Sequence, residues 1–187
     1  MRVNVIGTSG SGKSSFAKQL AGALRTPYLE MDRLYLKPYW QEPKDEEFFP
    51  ILEQALSGDA WVLDGNYTRT THIKWQRADL VIWIDYSLLL TVYRVIKRSI
   101  LRAWTKQELW PGTGNCESFA RLFSKDSMVL WTLSRYASNR DTFAKAMANE
   151  HYAHIEFVRL RSPKEAHGLT ENLKNRATSK SQPSDLF

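Results

Sequence analysis

The sequence is poor in cysteine and contains no long apolar run, and these two absences exclude several classes of protein. Its 187 residues include one cysteine, Cys116, so an internal disulfide and a multi-cysteine zinc site are both excluded. No apolar run reaches the ~18–20 residues of a membrane-spanning helix, and the first residues lack the apolar segment of a signal peptide. We therefore expect a cytoplasmic protein that does not associate with membranes.

Acidic residues are absent from Tyr86 to Gln107. The basic residues of that stretch are Arg94, Lys97, Arg98, Arg102 and Lys106. The three arginines are spaced by four residues and share one face of a predicted helix, where like charges repel by a few tenths of a kcal/mol per pair. A solvated face is one interpretation of this run. Because solvated helices normally mix both signs of charge, we favour a face that binds a polyanion.

Positive charge is also in excess over the whole chain. The formal net charge is +6 and the sequence pI is about 9.4, which together indicate a polyanionic partner. A nucleic acid and a nucleoside triphosphate both satisfy that condition. Composition therefore does not decide between a nucleic acid and a nucleoside triphosphate as the partner.

Predicted strands alternate with predicted helices along the chain. Apolar runs predict strands at 3–6, 27–31, 60–65, 80–85 and 154–160, and helical periodicity covers 13–24, 45–57, 87–104 and 118–149. A capping box at Ser162 and Glu165 begins a further helix. This alternation predicts an α/β fold with a mainly parallel sheet. We expect a single domain over residues 1–174 and a disordered polar tail over 175–187.

The glycine-rich segment that follows the first strand matches a complete phosphate-binding pattern, Gly7-x4-Gly12-Lys13-Ser14. In such a loop backbone N–H groups surround an anion, and the following helix adds the positive end of its dipole. The lysine reaches the β- and γ-phosphates, and the serine hydroxyl binds Mg²⁺. The residues predicted to bind the phosphates of ATP or GTP are Gly7, Thr8, Ser9, Gly10, Ser11, Gly12, Lys13, Ser14 and Ser15.

With this loop, the chain resembles the adenylate-kinase-like P-loop kinases. More narrowly, it is similar to the group known as topology-modulation proteins. The matching segments are "GTSGSGKSS", "LEMDRLYLKPYW", "WVLDGNY", "ADLVIWID", "YRVIKR" and "VRLRSPKE". The resemblance implies a P-loop NTPase fold like that of the nucleoside monophosphate kinases, with a five-stranded parallel sheet flanked by helices. It also implies an acceptor-binding region at 31–60, a lid at 105–117, and Mg²⁺–ATP as phosphoryl donor.

The same resemblance assigns roles on the donor side of the site. Asp64 takes the place of the acid that ends the third strand and holds Mg²⁺ together with Ser14. Arg94 and Arg98 follow Asp85 at the spacing of two lid arginines, of which one lies against the adenine and one reaches phosphate. Lys13 and both arginines are thereby expected to be catalytic.

On the acceptor side the resemblance places Asp32 and Arg33 where these kinases begin their acceptor site. Asp32 would also be catalytic, orienting the acceptor or taking its proton. The family's "DG-x-PR" reads "DGNYTR" here, so Arg69, a candidate ligand for the acceptor, comes one residue late. Arg135 and Arg140 are alternative candidates for a later lid arginine.

We therefore predict an ATP-dependent phosphotransferase that moves the γ-phosphoryl group of Mg²⁺–ATP to a nucleotide or a similar small acceptor. The alternative is a nucleic-acid-associated ATPase or a regulator of DNA topology. Only the positive charge supports it, since the sequence has no helix-turn-helix, zinc or aromatic RNA-binding motif. A GTPase is disfavoured because no Asn-Lys-x-Asp motif is present.

Overall fold

The structure is a computed structural model that describes residues 1–106, 108–109, 112–114 and 127–181. Residues 107, 110–111 and 115–117 of the predicted lid, Cys116 among them, and the predicted helical residues 118–126 lie outside the described residues. Among the residues that are described, no helix combines the length and apolar character needed to cross a membrane.

Five parallel strands form one sheet in the order β2-β3-β1-β4-β5. The strands are β1 (Arg2–Gly7), β2 (Tyr28–Glu30), β3 (Trp61–Asp64), β4 (Leu80–Ile84) and β5 (Glu156–Leu160). The ends of each strand agree with its predicted range to within about two residues. The second strand is shorter than predicted, because the fully buried Met31 begins a helix and does not continue the strand.

The helices flank this sheet on both faces. They are α1 (Lys13–Leu24), α2 (Met31–Tyr35), α3 (Asp45–Ala55), α4 (Thr71–Arg77), α5 (Leu88–Thr105), α6 (Met128–Met147) and α7 (Pro163–Ser181). Both α2 and α4 were missed by the sequence analysis because one or two turns are too short to show helical periodicity.

The final helix corrects one expectation. It begins at the predicted capping box, where Glu165 N–H donates to Ser162 Oγ at 3.3 Å. It then continues through 175–181, which the sequence analysis assigned to a disordered tail. Hydroxyls in this segment donate to carbonyls of the preceding turn, as Ser179 Oγ does to Asn175 O at 3.0 Å. The polar composition of this segment therefore does not prevent it from being helical. Residues 182–187 lie outside the described residues.

The register of the sheet brings three strand ends together. In the parallel ladders Val5 of β1 lies opposite Asp64 of β3, and Gly7 of β1 lies opposite Ile84 of β4. The loops that follow β1, β3 and β4 therefore leave the sheet at one edge, where ligands bind in open α/β folds. Residues far apart in sequence meet at this edge.

Asn4 is a buried polar residue inside β1. Its Nδ2 donates to Leu63 O at 3.2 Å and to Gly65 O at 3.3 Å, and its Oδ1 accepts from Trp75 Nε1 at 2.8 Å. The side chain thus joins β1 to β3 and to α4 beneath the functional edge of the sheet.

Replacing Asn4 with alanine is expected to lower the free energy of unfolding by about 1–3 kcal/mol, because it leaves buried donors and acceptors without partners. Urea unfolding would measure this loss. Asn172→Ala, at an exposed position of α7, is the control. Equal stability of the two variants would contradict the assigned role of Asn4.

Candidate nucleotide-binding site

Close packing of α5 against the glycine-rich loop determines the shape of that loop. Gly10 and Gly12 have left-handed φ angles of 82° and 93°. A Cβ at Gly10 would lie 2.7 Å from Thr91 O and would overlap the Val95 side chain. Glycine is therefore required at Gly10 both by the backbone conformation and by the proximity of α5.

The N-terminus of α1 faces the loop interior. Its N-cap is Gly12, which has no side chain that could cap the first turn. Free N–H groups in the first turn, together with the helix dipole, form an anion site. Lys13, the first residue of α1, places Nζ 3.9 Å from Asp64 Oδ1 at the end of β3. Lys13 of the glycine-rich segment and Asp64 at the end of β3 therefore lie side by side, although they are far apart in sequence.

Asp64 is a desolvated carboxylate with an incomplete set of partners. Its exposed fraction is 4%, and burial raises its pKa, an effect that the positive charge of Lys13 opposes. Tyr28 Oη donates to Oδ2 at 3.4 Å. Asp64 Oδ1 and Ser11 Oγ are buried and make no hydrogen bond of standard geometry with a described residue. Buried oxygens that lack a hydrogen bond are suited to a further ligand, which would complete the site.

These donors fit a magnesium ion. The Asp64 carboxylate and the Ser14 hydroxyl both supply oxygen, the ligand atom that Mg²⁺ prefers, and Mg²⁺ commonly binds through one or two protein ligands plus substrate phosphates. Ser14 also contributes to the environment of Asp64, where its hydroxyl lowers the pKa of the carboxyl.

The acid-free face of α5 contacts the glycine-rich loop. Arg94 Nη1 donates to Ser11 O at 3.0 Å, and its guanidinium lies 5.2 Å from the centre of the Tyr86 ring. Arg98 Nη2 donates to Ser9 Oγ at 3.3 Å. Both arginines are half-buried, so neither is part of a freely solvated face. Their positive charge is directed at the loop that the motif assigns to phosphate.

A cavity of about 410 Å³ opens between the loop, α5 and the start of α7. Its lining includes the cationic side chains of Lys13, Arg94 and Arg98 together with Tyr86 and Pro163. The volume falls in the range of small-ligand sites. The lining therefore combines cations, which attract phosphate, with aromatic and apolar surface, against which a base could pack.

Asn66 is a site residue that the sequence analysis missed. Its Nδ2 donates to Gly7 O at 2.8 Å, and its Oδ1 accepts from Gly7 N–H at 2.9 Å. The amide side chain therefore occupies both backbone groups of the first loop glycine. The residue belongs to the quoted "DGNY", but nothing in the sequence indicates a partner 59 residues away.

The two predicted acceptor residues of α2, Asp32 and Arg33, differ in their surroundings. Asp32 accepts a hydrogen bond from Tyr67 Oη at 2.9 Å, and its negative charge contributes to the raised pKa of Asp64. Arg33 is exposed on α2 and is not among the residues that line the cavity. Asp32 is therefore close enough to Asp64 for its charge to act on that carboxyl.

Arg69 is anchored to the acceptor region through other side chains. Its Nη1 lies 3.1 Å from Asp45 Oδ1 on α3, and its guanidinium lies 4.8 Å from the centre of the Tyr35 ring. Arg69 also donates to Tyr35 Oη. These contacts show how the displaced arginine of "DGNYTR" is held in place.

The two later arginines lie in different environments on α6. Arg140 pairs with Asp85, with its Nε 3.0 Å from Oδ1, and Arg159 pairs with the same carboxylate. Arg135 is exposed and lies 4.7 Å from the centre of the Trp131 ring. Arg140 is therefore committed to an ion pair at the end of β4, and Arg135 is the more accessible of the two.

Part of the predicted lid is described. Tyr39 N–H, in the acceptor region, donates to Thr113 O at 3.1 Å, and Glu108 accepts from the N–H of Gly112 at 3.0 Å. Residues 107, 110–111 and 115–117 of the predicted lid lie outside the described residues. The described part of this segment therefore contacts the region predicted to bind the acceptor.

Comparison with known proteins supports the fold assignment. No protein-family model matches the chain, and no curated protein matches its sequence. A shikimate kinase from Acinetobacter baumannii, solved with shikimate, superposes with a TM-score of 0.55 at 15% identity, covering 97% of this chain and 95% of that one. For a shikimate kinase from Bacteroides thetaiotaomicron the TM-score is 0.51 at 10% identity, with coverages of 95% and 98%.

A gluconokinase from Sinorhizobium meliloti 1021 also matches, with a TM-score of 0.49 at 16% identity and 97% coverage of both chains. At such identities the similarity to the shikimate kinases establishes the fold and no more. The chain has the P-loop fold of these small-molecule kinases, with a five-stranded parallel sheet and flanking helices.

Proposed function

We propose that this protein is an ATP-dependent small-molecule kinase. It transfers the γ-phosphoryl group of Mg²⁺–ATP to a nucleotide or a similar small hydroxylated acceptor. The observation that carries the proposal is the cluster of Lys13 and the buried Asp64, 3.9 Å apart at the opening of α1. The adjoining cavity and the two half-buried arginines support it, because both lie where the phosphates and base of ATP would be bound.

On the donor side the chain binds and orients the phosphates. Backbone N–H groups of residues 7–15 and the ammonium of Lys13 would hold the β- and γ-phosphates. Arg94 would lie against the base and Arg98 against phosphate, both stabilising negative charge on the group in transit. Ser14 and Asp64 would hold Mg²⁺, which neutralises charge on the phosphates.

On the acceptor side Asp32 would orient the attacking hydroxyl and take its proton. A bond forms between the acceptor oxygen and the γ-phosphorus, and the bond from that phosphorus to the leaving oxygen of ADP breaks. Arg33 and Arg69 would bind a charged group of the acceptor, and Arg135, the more accessible of the two later arginines, would complete the lid. Asp32 is suited to the role because Tyr67 holds one of its oxygens at 2.9 Å.

The narrower resemblance to the topology-modulation proteins extends this proposal. The segments that carry it, "DRLYLKPYW" and "WVLDGNY", contain Asp32 and the loop after β3, which form the acceptor side of the site. We assign the protein to that group within the P-loop kinases. The proposal also places it in the cytoplasm, where Mg²⁺–ATP is available.

The deciding experiment measures ADP release by the purified protein with Mg²⁺–ATP, alone and with a panel of candidate acceptors. The panel contains nucleoside monophosphates, nucleosides, small polyols and shikimate, the last because the matched fold binds it in the Acinetobacter baumannii enzyme. We expect one compound to stimulate ADP release and to become phosphorylated. Slow ATP hydrolysis that only DNA accelerates would contradict the kinase proposal and favour a nucleic-acid-associated ATPase.

Replacing Arg98 with methionine is expected to lower kcat by about 10²-fold with a smaller change in the KM for ATP, because charge on the transferring group is greatest in the transition state. Steady-state kinetics with the identified acceptor would measure both constants. Arg176→Met, at an exposed position of α7, is the control for loss of one positive charge. A kcat equal to that of the control would favour a role in structure alone.

A further inference from the structure

Lys74 is a buried cation that the proposed reaction does not use. It lies on α4 with an exposed fraction of 0%. Among the described residues no carboxylate forms an ion pair with it. Burying an ammonium group without an opposite charge is costly unless its hydrogen bonds are made. Its hydrogen bonds therefore show what the residue does.

The ammonium group of Lys74 is directed at the backbone of the loop that follows β3. Nζ donates to Gly65 O and Tyr67 O at 3.4 Å each, and also to Asn66 O. An ammonium group has three N–H donors, so its donors match three consecutive carbonyls. One side chain thus ties down the whole backbone of residues 65–67.

This loop connects the two sides of the candidate site. From it, Asn66 holds both backbone groups of Gly7 in the phosphate-binding loop. The next residue, Tyr67, holds Asp32. Tyr67 also has a positive φ of 20°, a conformation that non-glycine residues rarely adopt without support from their surroundings. The loop therefore needs support, and both of its side chains depend on it.

We propose that Lys74 is a positioning residue, whose ammonium group holds residues 65–67 so that Asn66 orders the phosphate-binding loop. The consequence for nucleotide binding rests on the proposed function, while the ordering of Gly7 does not. Burial lowers the pKa of Lys74 to about 7, which is the direction expected for a desolvated ammonium group. A neutral side chain of similar length would avoid that cost but would supply no donors to the loop.

The experiment compares Lys74→Met, Asn66→Ala and the double variant with the unaltered protein. Asn66→Ala removes the amide that holds Gly7 but keeps the carbonyl that accepts from Lys74. Lys174→Met, at an exposed position of α7, is the control. Two quantities are measured at a temperature where circular dichroism shows every variant to be folded: the hydrogen-exchange rate of the Gly7 amide by NMR, and the Kd for Mg²⁺ with a non-hydrolysable ATP analogue.

We expect Gly7 exchange to rise about tenfold in both variants, because Asn66→Ala removes the acceptor of the Gly7 amide and Lys74→Met no longer holds that acceptor in position. Nucleotide affinity should fall about five- to tenfold in each. In the double variant both quantities should change no more than in either single variant, because the effects of residues that act through one another do not add. Lys174→Met should change neither quantity.

Unchanged Gly7 exchange in Lys74→Met would overturn the proposal, as would losses that add in the double variant. Lower thermal stability with unchanged exchange and affinity would show a role in folding alone and would overturn it equally. If Lys74→Met does not fold, Lys74→Leu, which also removes all three N–H donors, replaces it with the same expectations. If the unaltered protein binds no nucleotide, the proposed function fails, and Gly7 exchange alone decides the role of Lys74.

Discussion

Replacing Lys13 with methionine is expected to reduce acceptor-dependent turnover by about 10³-fold or more, which combines the loss of a phosphate ligand with the loss of transition-state charge stabilisation. The structure places Nζ 3.9 Å from Asp64 Oδ1, so the ammonium group lies where phosphate and Mg²⁺ would be held. Methionine keeps the length and apolar stem of the side chain. The fold should therefore survive, since α1 is held by Phe16, Leu20 and other buried residues.

The control is Lys18→Met, on the same helix but at an exposed position. Phosphorylated product is measured for both variants at saturating Mg²⁺–ATP, and circular dichroism verifies that they are folded. Turnover of Lys13→Met within a few-fold of the Lys18→Met value would exclude the proposed mechanism.

Replacing Asp64 with asparagine is expected to change activity and stability in opposite directions. Turnover should fall by about 10²–10³-fold, because the amide cannot replace the carboxylate in holding Mg²⁺. The free energy of unfolding without Mg²⁺ should rise, because burial disfavours the ionised carboxyl and asparagine is nearly isosteric and neutral. Kinetics and urea unfolding of the same preparation measure the two changes.

Asp59→Asn, at an exposed position, is the control for removing one carboxylate. Lower stability of Asp64→Asn would show that the attraction to Lys13 outweighs desolvation. Unchanged turnover would remove Asp64 from the metal site.

The same carboxyl predicts a pH dependence of stability. Its folded pKa lies above the ordinary value of 3.8, so between those two values the folded protein binds more protons than the unfolded chain. The contribution of Asp64 to stability is therefore fully present below 3.8 and is lost as pH rises through the folded pKa. Unfolding free energies of the unaltered protein and of Asp64→Asn, measured over about pH 3.5 to 7, should diverge as pH rises.

Much of the donor side could be predicted from sequence because it is built from local patterns. The glycines, Lys13 and Ser14 lie within one loop and the first turn of one helix, so their spacing alone determines their geometry. The i, i+4 spacing of Arg94 and Arg98 likewise places both on one helical face. Strand positions could also be predicted, since continuous apolar runs are typical of buried parallel strands.

The acceptor side depends on contacts between distant segments. Arg69 is held by Asp45 and Tyr35, and Asp85 pairs with both Arg140 and Arg159. No local pattern distinguishes these arginines from exposed ones, because their partners are set by the packing of α3, α6 and β5. The sequence could therefore offer Arg69, Arg135 and Arg140 only as candidates.

Lys74 and Asn66 show most clearly the difference between local sequence patterns and contacts between distant segments. In sequence, Lys74 is an ordinary lysine in a short polar segment, and its complete burial follows only from how α4 packs against the loop after β3. Asn66 reaches Gly7 because the parallel ladder of β1 and β3 brings the ends of these strands side by side. The sequence alone determined the phosphate-binding loop, the alternation of strands and helices and the arginine face of α5, since all three arise from spacings of a few residues. Only the tertiary structure decided which side chains order that loop, since the sheet register joins positions 59 residues apart.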